Sequence, residues 1–237
     1  MNGFSGELRK LLKMKRYRLK RLGETGLGRQ DGPRLMIDLN PATVAGAFVR
    51  RSALAKLVFA LNGLAHPAGI RGGDWDRRAI PIESHPTYRL MHDLMEREFD
   101  PKRCFEALFV YFRDKGRSRE KALLKAKAQL HEYVLEYRRL YESMRDRGYV
   151  SGLAADEVGV AVGREGTMIK VPNGNHRFYT AVALGMEQVP AEVRFVHAAW
   201  YRRHAEELRG SVIERTCEAL RRSGLSGCRI VKPGEGG

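Results

Sequence analysis

The sequence predicts an α/β domain, because patterns typical of strands and of helices follow one another along a single chain of 237 residues. The strand patterns lie at residues 35–39, 158–162, 167–171 and 189–196, and the clearest helical patterns at 101–112 and 118–147. Hydrophobic residues make up 43% of the chain, which is enough for a sizeable core.

The first predicted strand is the apolar run from Leu35 to Leu39, which Pro33 precedes and Pro41 follows. A helix is expected next, because apolar residues then recur at helical spacing and a glycine follows them as a stop signal. These residues are Leu54, Leu57, Val58, Leu61 and Gly63.

Two further helices are predicted in the middle of the chain. Asp100 is a suitable N-cap before Pro101, and an apolar stripe follows at Phe105, Leu108, Phe109 and Phe112. A longer helix is expected at 118–147 and should end at Gly148. Its predicted buried face comprises Leu123, Leu130, Val134, Tyr137, Tyr141 and Met144.

The pattern changes to that of a β-hairpin after Gly148. Alternating valines at 158–162 and apolar residues at 167–171 flank a turn at residues 163–166. A short helix should follow near 178–184, then an extended segment at 189–196. The last predicted helix covers residues 205–222, ahead of a Gly-rich tail that begins at Gly224.

Positive charge is the strongest compositional signal. The net charge is +15, and residues 1–30 alone contain nine Lys or Arg against two Glu, a net +7. Residues 4–22 form a basic amphipathic pattern that suits an anionic membrane surface or a nucleic-acid backbone. The alternative is a solvated helix that packs its leucines on the domain.

Cysteine usage and hydropathy indicate a cytoplasmic protein. Cys104, Cys217 and Cys228 are odd in number and lack a C-x-x-C spacing, which argues against a disulfide framework or a four-cysteine zinc site. No apolar stretch is long enough to span a bilayer. Because of the basic segment at residues 4–22, a peripheral position at the inner membrane surface is an alternative prediction.

The segment most suggestive of chemistry joins a predicted strand to a predicted helix, and consists of Gly174, Asn175, His176 and Arg177. A glycine there lets the backbone approach an anion, while the free N–H groups of the helix start and an arginine supply donors. This combination suits a polyphosphate. The alternative is that the His-Arg pair only caps the helix.

Residues 163–196 resemble the ParB/sulfiredoxin-like superfamily, whose members carry a G-x-x-R signature between a strand and an Ala-rich helix. Gly174 and Arg177 match the signature, and Gly185 and Val189-Pro190 match the glycine and the strand that follow. The element at residues 73–76 resembles a branch in which GDWD precedes GxHR. The resemblance covers about residues 34–200 and is strongest at 140–196.

The resemblance implies a compact mixed-sheet domain whose G-x-x-R loop binds nucleotide phosphates. On this basis we expect ATP or another nucleoside triphosphate at residues 174–177, and Mg²⁺ as the metal. The expected activity is a kinase-type transfer of a phosphoryl group to a hydroxyl-bearing acceptor, with His176 as a further candidate catalytic residue. The alternative is a nucleic-acid-binding protein or a nuclease.

Asp74 and Asp76 are the acidic candidates for this chemistry. Either carboxylate could hold Mg²⁺ or act as the base for an acceptor hydroxyl, and both roles require the GDWD element to face residues 174–177 across one cleft. The alternative is an aspartate turn with Trp75 anchored in the core.

The sequence divides into three parts. Residues 1–32 form the basic segment and a Gly-rich linker, and residues 33–200 form the α/β domain with a helical insertion at about 77–139. Residues 201–237 form a C-terminal helix and tail.

Overall fold

The computed structural model describes residues 32–49, 69–151 and 157–232, and within these ranges the protein is an α/β domain with six helices and a seven-stranded mixed sheet. The predicted fold class is therefore confirmed. None of the described helices has the length and apolar character needed to cross a membrane. The predicted basic helix at 4–22 and the predicted helix at 54–61 lie outside the described residues.

The sheet is built around a long central strand, β6. The strand bounds are β1 Arg34–Leu39, β2 Gly46–Ala47, β3 Ile70–Arg71, β4 Val158–Val162, β5 Met168–Lys170, β6 Val189–His197 and β7 Arg229–Val231. Their order is β2-β5-β4-β6-β1-β7, and β3 also pairs with β6. Because β6 pairs in parallel with β4 and antiparallel with β1, the sheet is mixed.

The β4–β5 hairpin is buried on both faces, which explains its small and β-branched residues. Val158, Val160 and Val162 belong to the main core. On the other face, Ala161 and Ile169 pack in a second cluster that includes Trp75. The predicted alternation at 158–162 has the correct two-residue period, but the side chains on both faces of the strand are buried.

The helical insertion consists of α1 Pro86–Glu96, α2 Pro101–Asp114 and α3 Arg119–Arg147, and has a hydrophobic core of its own. The sequence predicted α2 and α3 with nearly these bounds. Asp100 caps α2 as expected, and Ser118 caps α3. It did not predict α1, which His85 caps. The buried face of α3 also differs from the prediction, since Ala122 and Ala126 are buried while Leu123 is 37% exposed.

The rest of the sheet domain contains α4 Asn175–Ala183, α5 Ala198–His204 and α6 Val212–Arg222. The predicted helix at 205–222 was correct from residue 212 to its end at Arg222, but its predicted start was wrong. The chain leaves α5 at Ala205 and starts α6 at Ser211, which forms a capping box with Glu214.

The C-terminal part belongs to the same fold as the predicted domain. Strand β7 pairs with β1, and Ile213, Cys217 and Leu220 lie in the main core. The residues up to 232 therefore pack on the sheet rather than forming a flexible tail. Cys104, Cys217 and Cys228 are buried free thiols, and the Cys217 and Cys228 sulfurs lie 3.2 Å apart.

Candidate anion-binding cleft

The loop between β5 and α4 requires glycine at position 174. Gly174 has φ +61°, and a Cβ atom there would lie 2.9 Å from the carbonyl oxygen of Glu157 and from Cα of Val158. Side chains other than glycine rarely adopt this backbone conformation, and the contact leaves no room for one. The glycine therefore lets the start of α4 lie against the start of β4.

Lys170, the last residue of β5, is buried beneath this loop with 1% of its surface exposed. Its Nζ donates to the carbonyl oxygens of Val171 and Asn173, the latter at 2.6 Å, and to Oδ1 of Asn175 at 2.9 Å. Three acceptors match the three protons of an ammonium group. Burial lowers the pKa of Lys170 to about 7.

The contact with Lys170 also determines what Asn175 can offer a ligand. Because the ammonium group only donates, the atom it contacts must be the amide oxygen of Asn175. The two N–H groups of the amide are then the donors that this side chain presents. Lys170 thus positions Asn175 as a hydrogen-bond donor.

His85 and Tyr179 lie against each other beside Lys170. Their ring centroids are 4.5 Å apart and nearly parallel. Nδ1 of His85 accepts a hydrogen bond from the Thr87 N–H at 3.2 Å, so the neutral ring carries its proton on Nε2. Burial, together with the positive charges of Lys170 and Lys115 and of Arg89, lowers the pKa of His85 to about 4.

The Tyr179 hydroxyl is the clearest unsatisfied polar atom at this position. Tyr179 is fully buried, and its hydroxyl has no hydrogen-bond partner among the described residues. Burial also raises the pKa of its phenol. A buried hydroxyl without a partner costs free energy unless a ligand or water satisfies it.

These side chains line two cavities that share His85 and Asn175. The inner cavity, of about 180 Å³, also contains Lys170 and Tyr179 in its lining. The outer cavity, of about 610 Å³, lies between α1 and the end of α2. Because the two cavities share lining residues, we describe them together as the cleft.

The rim of the cleft is positively charged. Arg89, Asp114 and Lys115 line the outer cavity, and Nη2 of Arg89 donates to Oδ2 of Asp114 at 2.7 Å. Among the described residues that line the cleft, Arg89, Lys115 and the ammonium group of Lys170 are three cations against the one carboxylate of Asp114. The cleft is therefore suited to an anionic ligand.

His176 and Arg177 do not line either of these two cavities. The His176 ring packs 4.8 Å from the ring of Tyr137 in α3. Nη1 of Arg177 donates to Oε2 of Glu157 at 3.2 Å, and the same oxygen accepts from the Tyr149 hydroxyl at 2.8 Å. Of the predicted loop side chains, the structure places that of Asn175 in the cleft, and phosphate contacts by the other two stay predictions.

The GDWD element lies elsewhere, at the opposite end of the hairpin. Asp76 accepts hydrogen bonds from the side chain of Arg164 in the β4–β5 turn, and Asp74 Oδ1 accepts from the same guanidinium at 2.7 Å. Gly174 contacts the other end of β4, and the two ends of β4 are about 13 Å apart at ~3.3 Å per residue. The expected shared cleft was therefore wrong.

Trp75 is the reason for this placement. It is 5% exposed and packs edge-on against Phe48 and Phe195, with ring centroids 6.3 and 4.9 Å away. The indole anchors the turn in the second core cluster, and the flanking aspartates then meet Arg164. This is the alternative that the sequence left open for the element.

Asp74 and Asp76 also do not fit a Mg²⁺ site. Their carboxylates already bind the Arg164 guanidinium, which occupies the position that a cation would need. Elsewhere in the described ranges, His92, Asp93 and Glu96 have the mutual spacing of metal ligands, but they lie largely on the outer surface of α1. We therefore assign no metal ion to the cleft.

Comparison with protein families, with curated proteins and with solved structures finds no match in any of the three. The resemblance to the ParB/sulfiredoxin-like superfamily thus depends on the residues quoted above. The fold and cleft themselves define the protein as an α/β protein with a cationic cleft between its sheet and a helical insertion.

Sequence reasoning missed six titratable residues of the cleft: His85, Arg89, Asp114, Lys115, Lys170 and Tyr179. For Lys170 a signal existed, since a lysine inside an apolar strand just before a Gly-containing loop needs buried acceptors. His85 and Lys115 carry no such signal, because the helical insertion brings them to the sheet through tertiary packing.

Proposed function

We propose that this protein binds a nucleoside triphosphate in the cleft. The observation that carries the proposal is the Tyr179 hydroxyl, which is buried without a partner among the described residues, in a cavity that Lys170, His85 and Asn175 also line. A phosphate oxygen would accept hydrogen bonds from the Tyr179 hydroxyl, the Nε2–H of His85 and the Asn175 amide. Because each of these groups can donate, and the lysine adds positive charge, the cavity favours an anion over a cation.

The outer cavity supports a nucleotide rather than a bare anion. Its volume of about 610 Å³ lies within the ~300–1,000 Å³ that small-molecule sites usually have. Val49, Ile80 and Pro86 give it an apolar wall, while Arg89 and Lys115 supply charge. An apolar wall beside cations suits a ligand with a base and several phosphates.

The test is a calorimetric titration of the full chain with ATP, CTP and inorganic triphosphate. Tyr179→Phe keeps the ring stacked on His85 but removes the hydroxyl, so we expect affinity to fall about fivefold, equivalent to ~1 kcal/mol. Asn175→Ala should weaken binding at least as much. Tyr201→Phe is the matched control, because Tyr201 also has a buried hydroxyl without a partner but does not line the cleft.

Failure of all three ligands to bind would overturn the proposal. Equal affinities for Tyr179→Phe, Asn175→Ala and the unchanged protein would instead show that the nucleotide binds elsewhere. Comparison of ATP with inorganic triphosphate separates the contribution of the base from that of the phosphates.

For phosphoryl transfer to a hydroxyl, Asp114 replaces Asp74 and Asp76 as the candidate base. It is the carboxylate that lines the outer cavity, and Arg89 holds it by the bond at 2.7 Å. Asp114→Asn should leave the ATP affinity within about threefold and reduce the formation of ADP from ATP by about 100-fold or more, because each transfer to an acceptor hydroxyl leaves one ADP. Unchanged ADP formation in Asp114→Asn would remove this role.

A further inference from the structure

Positive charge is concentrated at the turn between α2 and α3. Residues 113–127 contain seven Lys or Arg and two acidic residues, a net +5 of the whole chain's +15. The seven cations define what we call the basic turn surface: Arg113, Lys115, Arg117, Arg119, Lys121, Lys125 and Lys127. Together with residues 1–30, this short segment holds +12 of the net charge.

Local ion pairing does not explain this charge. Across the described ranges, none of these seven side chains forms an ion pair with a carboxylate, and Asp114 is paired with Arg89 instead. Residues 113–121 are all exposed. Moreover, Arg119 and Lys121 occupy the first turn of α3, where positive charge opposes the helix dipole. The arrangement therefore costs some helix stability, which suggests a role in binding.

Packing holds part of the surface in place. The Arg117 guanidinium lies 5.8 Å from the centroid of the Phe112 ring, and Nζ of Lys125 lies 5.1 Å from the same centroid. Nζ of Lys115 lies 4.6 Å from the Tyr111 ring. Contacts with aromatic rings order these long side chains, so less entropy is lost when they bind a partner.

The cations form a row that begins at the cleft. Lys115 lines the outer cavity, Arg117 follows in the turn, and Lys121 and Lys125 stand one helical turn apart, about 6 Å along α3. A row of charges fits a linear polyanion. A membrane is a poorer fit, because α3 already buries apolar residues such as Ala122 and Val134 inside the protein. Among the large apolar residues described on α3, only Leu124 is more than half exposed, so the helix offers little apolar surface to a bilayer.

We propose that the basic turn surface binds the phosphate backbone of a nucleic-acid strand. The partner lies along the row from Lys115 to Lys125, and recognition is independent of base sequence, because contacts to phosphates carry no sequence information. This interaction does not require that the cleft binds a nucleotide, and the two can be measured separately.

The test measures fluorescence anisotropy of a labelled 20-nucleotide single strand and of the corresponding duplex, with the full chain at 50 and 200 mM salt. The variant Arg117→Gln/Lys121→Gln/Lys125→Gln should bind at least tenfold more weakly at 50 mM salt. Its dependence of log affinity on log salt should be shallower by about 2, since each lost phosphate contact contributes ~0.7–0.9. Comparison of the two probes shows whether the surface prefers the phosphate backbone of a single strand or that of a duplex.

The matched control is Lys102→Gln/Arg202→Gln/Arg209→Gln, which removes the same charge from exposed positions outside the surface. We expect its affinity to change by less than threefold. A second variant, Arg119→Gln/Lys121→Gln/Lys127→Gln, replaces three cations of the surface that have no described contact with an aromatic ring. It should lose affinity to the same extent, so the test does not depend on correct folding of the first variant.

Equal affinities of the basic-turn variants and the control would overturn the proposal, because binding would then depend on net charge alone. The same conclusion follows if the substitutions abolish binding to vesicles containing 30% phosphatidylserine but leave both nucleic acids bound. ATP titrations of the same variants show whether the cleft is intact.

Discussion

Arg164 encloses the carboxylate of Asp76, which lies 88 residues earlier in the chain. The Arg164 backbone N–H and Nε donate to Oδ2 at 2.9 and 2.8 Å, and Nη2 donates to Oδ1 at 2.8 Å. The Asp76 side chain is only 6% exposed. This bidentate pair joins the GDWD element to the turn of the β4–β5 hairpin, so its role is structural.

Asp76→Asn is therefore expected to destabilise the protein much more than Asp74→Asn. Loss of the charged hydrogen bonds to Arg164 should lower the free energy of unfolding by about 2–3 kcal/mol. Asp74 has a side chain that is 56% exposed, so solvent screens its ion pair and its replacement should cost much less. Urea unfolding of both variants measures the difference, and equal losses would contradict the structural role.

The same pair predicts a pH dependence. Burial alone would raise the pKa of Asp76, but the hydrogen bonds from the Arg164 side chain and backbone outweigh it and lower the pKa to about 2. Since the folded pKa lies below the usual 3.8, the pair's stabilisation is present above about pH 4 and is lost as the pH falls toward 2. Between pH 5 and pH 2, the free energy of unfolding should depend less steeply on pH in Asp76→Asn than in the unchanged protein. The same pH dependence in both proteins would refute this assignment.

Gly174→Ala should be more harmful than Gly185→Ala, although both glycines have nearly the same backbone conformation, with φ +61° and +62°. A Cβ at position 185 would meet nothing within 4 Å, so only the backbone cost of about 1–2 kcal/mol applies. At position 174 the contact with the backbone at 2.9 Å adds to it, for an expected total of about 3 kcal/mol. Chemical unfolding compares the two, and equal stabilities would show that the loop relaxes around the added carbon.

Sulfate affinity should rise as the pH falls from 8 to 5. Burial lowers the pKa of Lys170 to about 7, and burial with nearby cations lowers that of His85 to about 4. A bound anion favours the charged form of each group, so binding raises both pKa values and takes up protons. Arg89, Lys115 and Asp114 also line the outer cavity.

Calorimetry with sulfate at pH 8, 6.5 and 5 tests this dependence, because the charge of sulfate itself stays constant. In His85→Asn, which can still accept the Thr87 N–H, the increase below about pH 6 should disappear while the change near pH 7 remains. A pH-independent affinity in the unchanged protein would show that neither group faces the anion.

Much of the fold could be read from the sequence because its signals are local. Asp100 and Ser118 accept hydrogen bonds from the first turns of their own helices, and valine alternation at 158–162 reflects the two-residue period of a strand. Gly174 was selected from the sequence as a glycine that lets the backbone approach an anion, and in the structure it is the left-handed residue before α4. Such requirements involve few neighbours in space, so a single sequence reveals them.

The position of the cleft was decided by tertiary structure. Asp76 and Arg177 were expected to face each other across a nucleotide cleft, with Arg177 on the phosphates and Asp76 on Mg²⁺ or an acceptor hydroxyl. The fold instead pairs them with Arg164 and Glu157 at opposite ends of β4. Conversely, His85 and Lys115 lie far from Asn175 in sequence, and they line a cavity with it because α1 packs on α4 and α2 packs on α1. Residue type determined which side chains could bind an anion, but the packing of the helical insertion on α4 determined which of them share a cavity with Asn175.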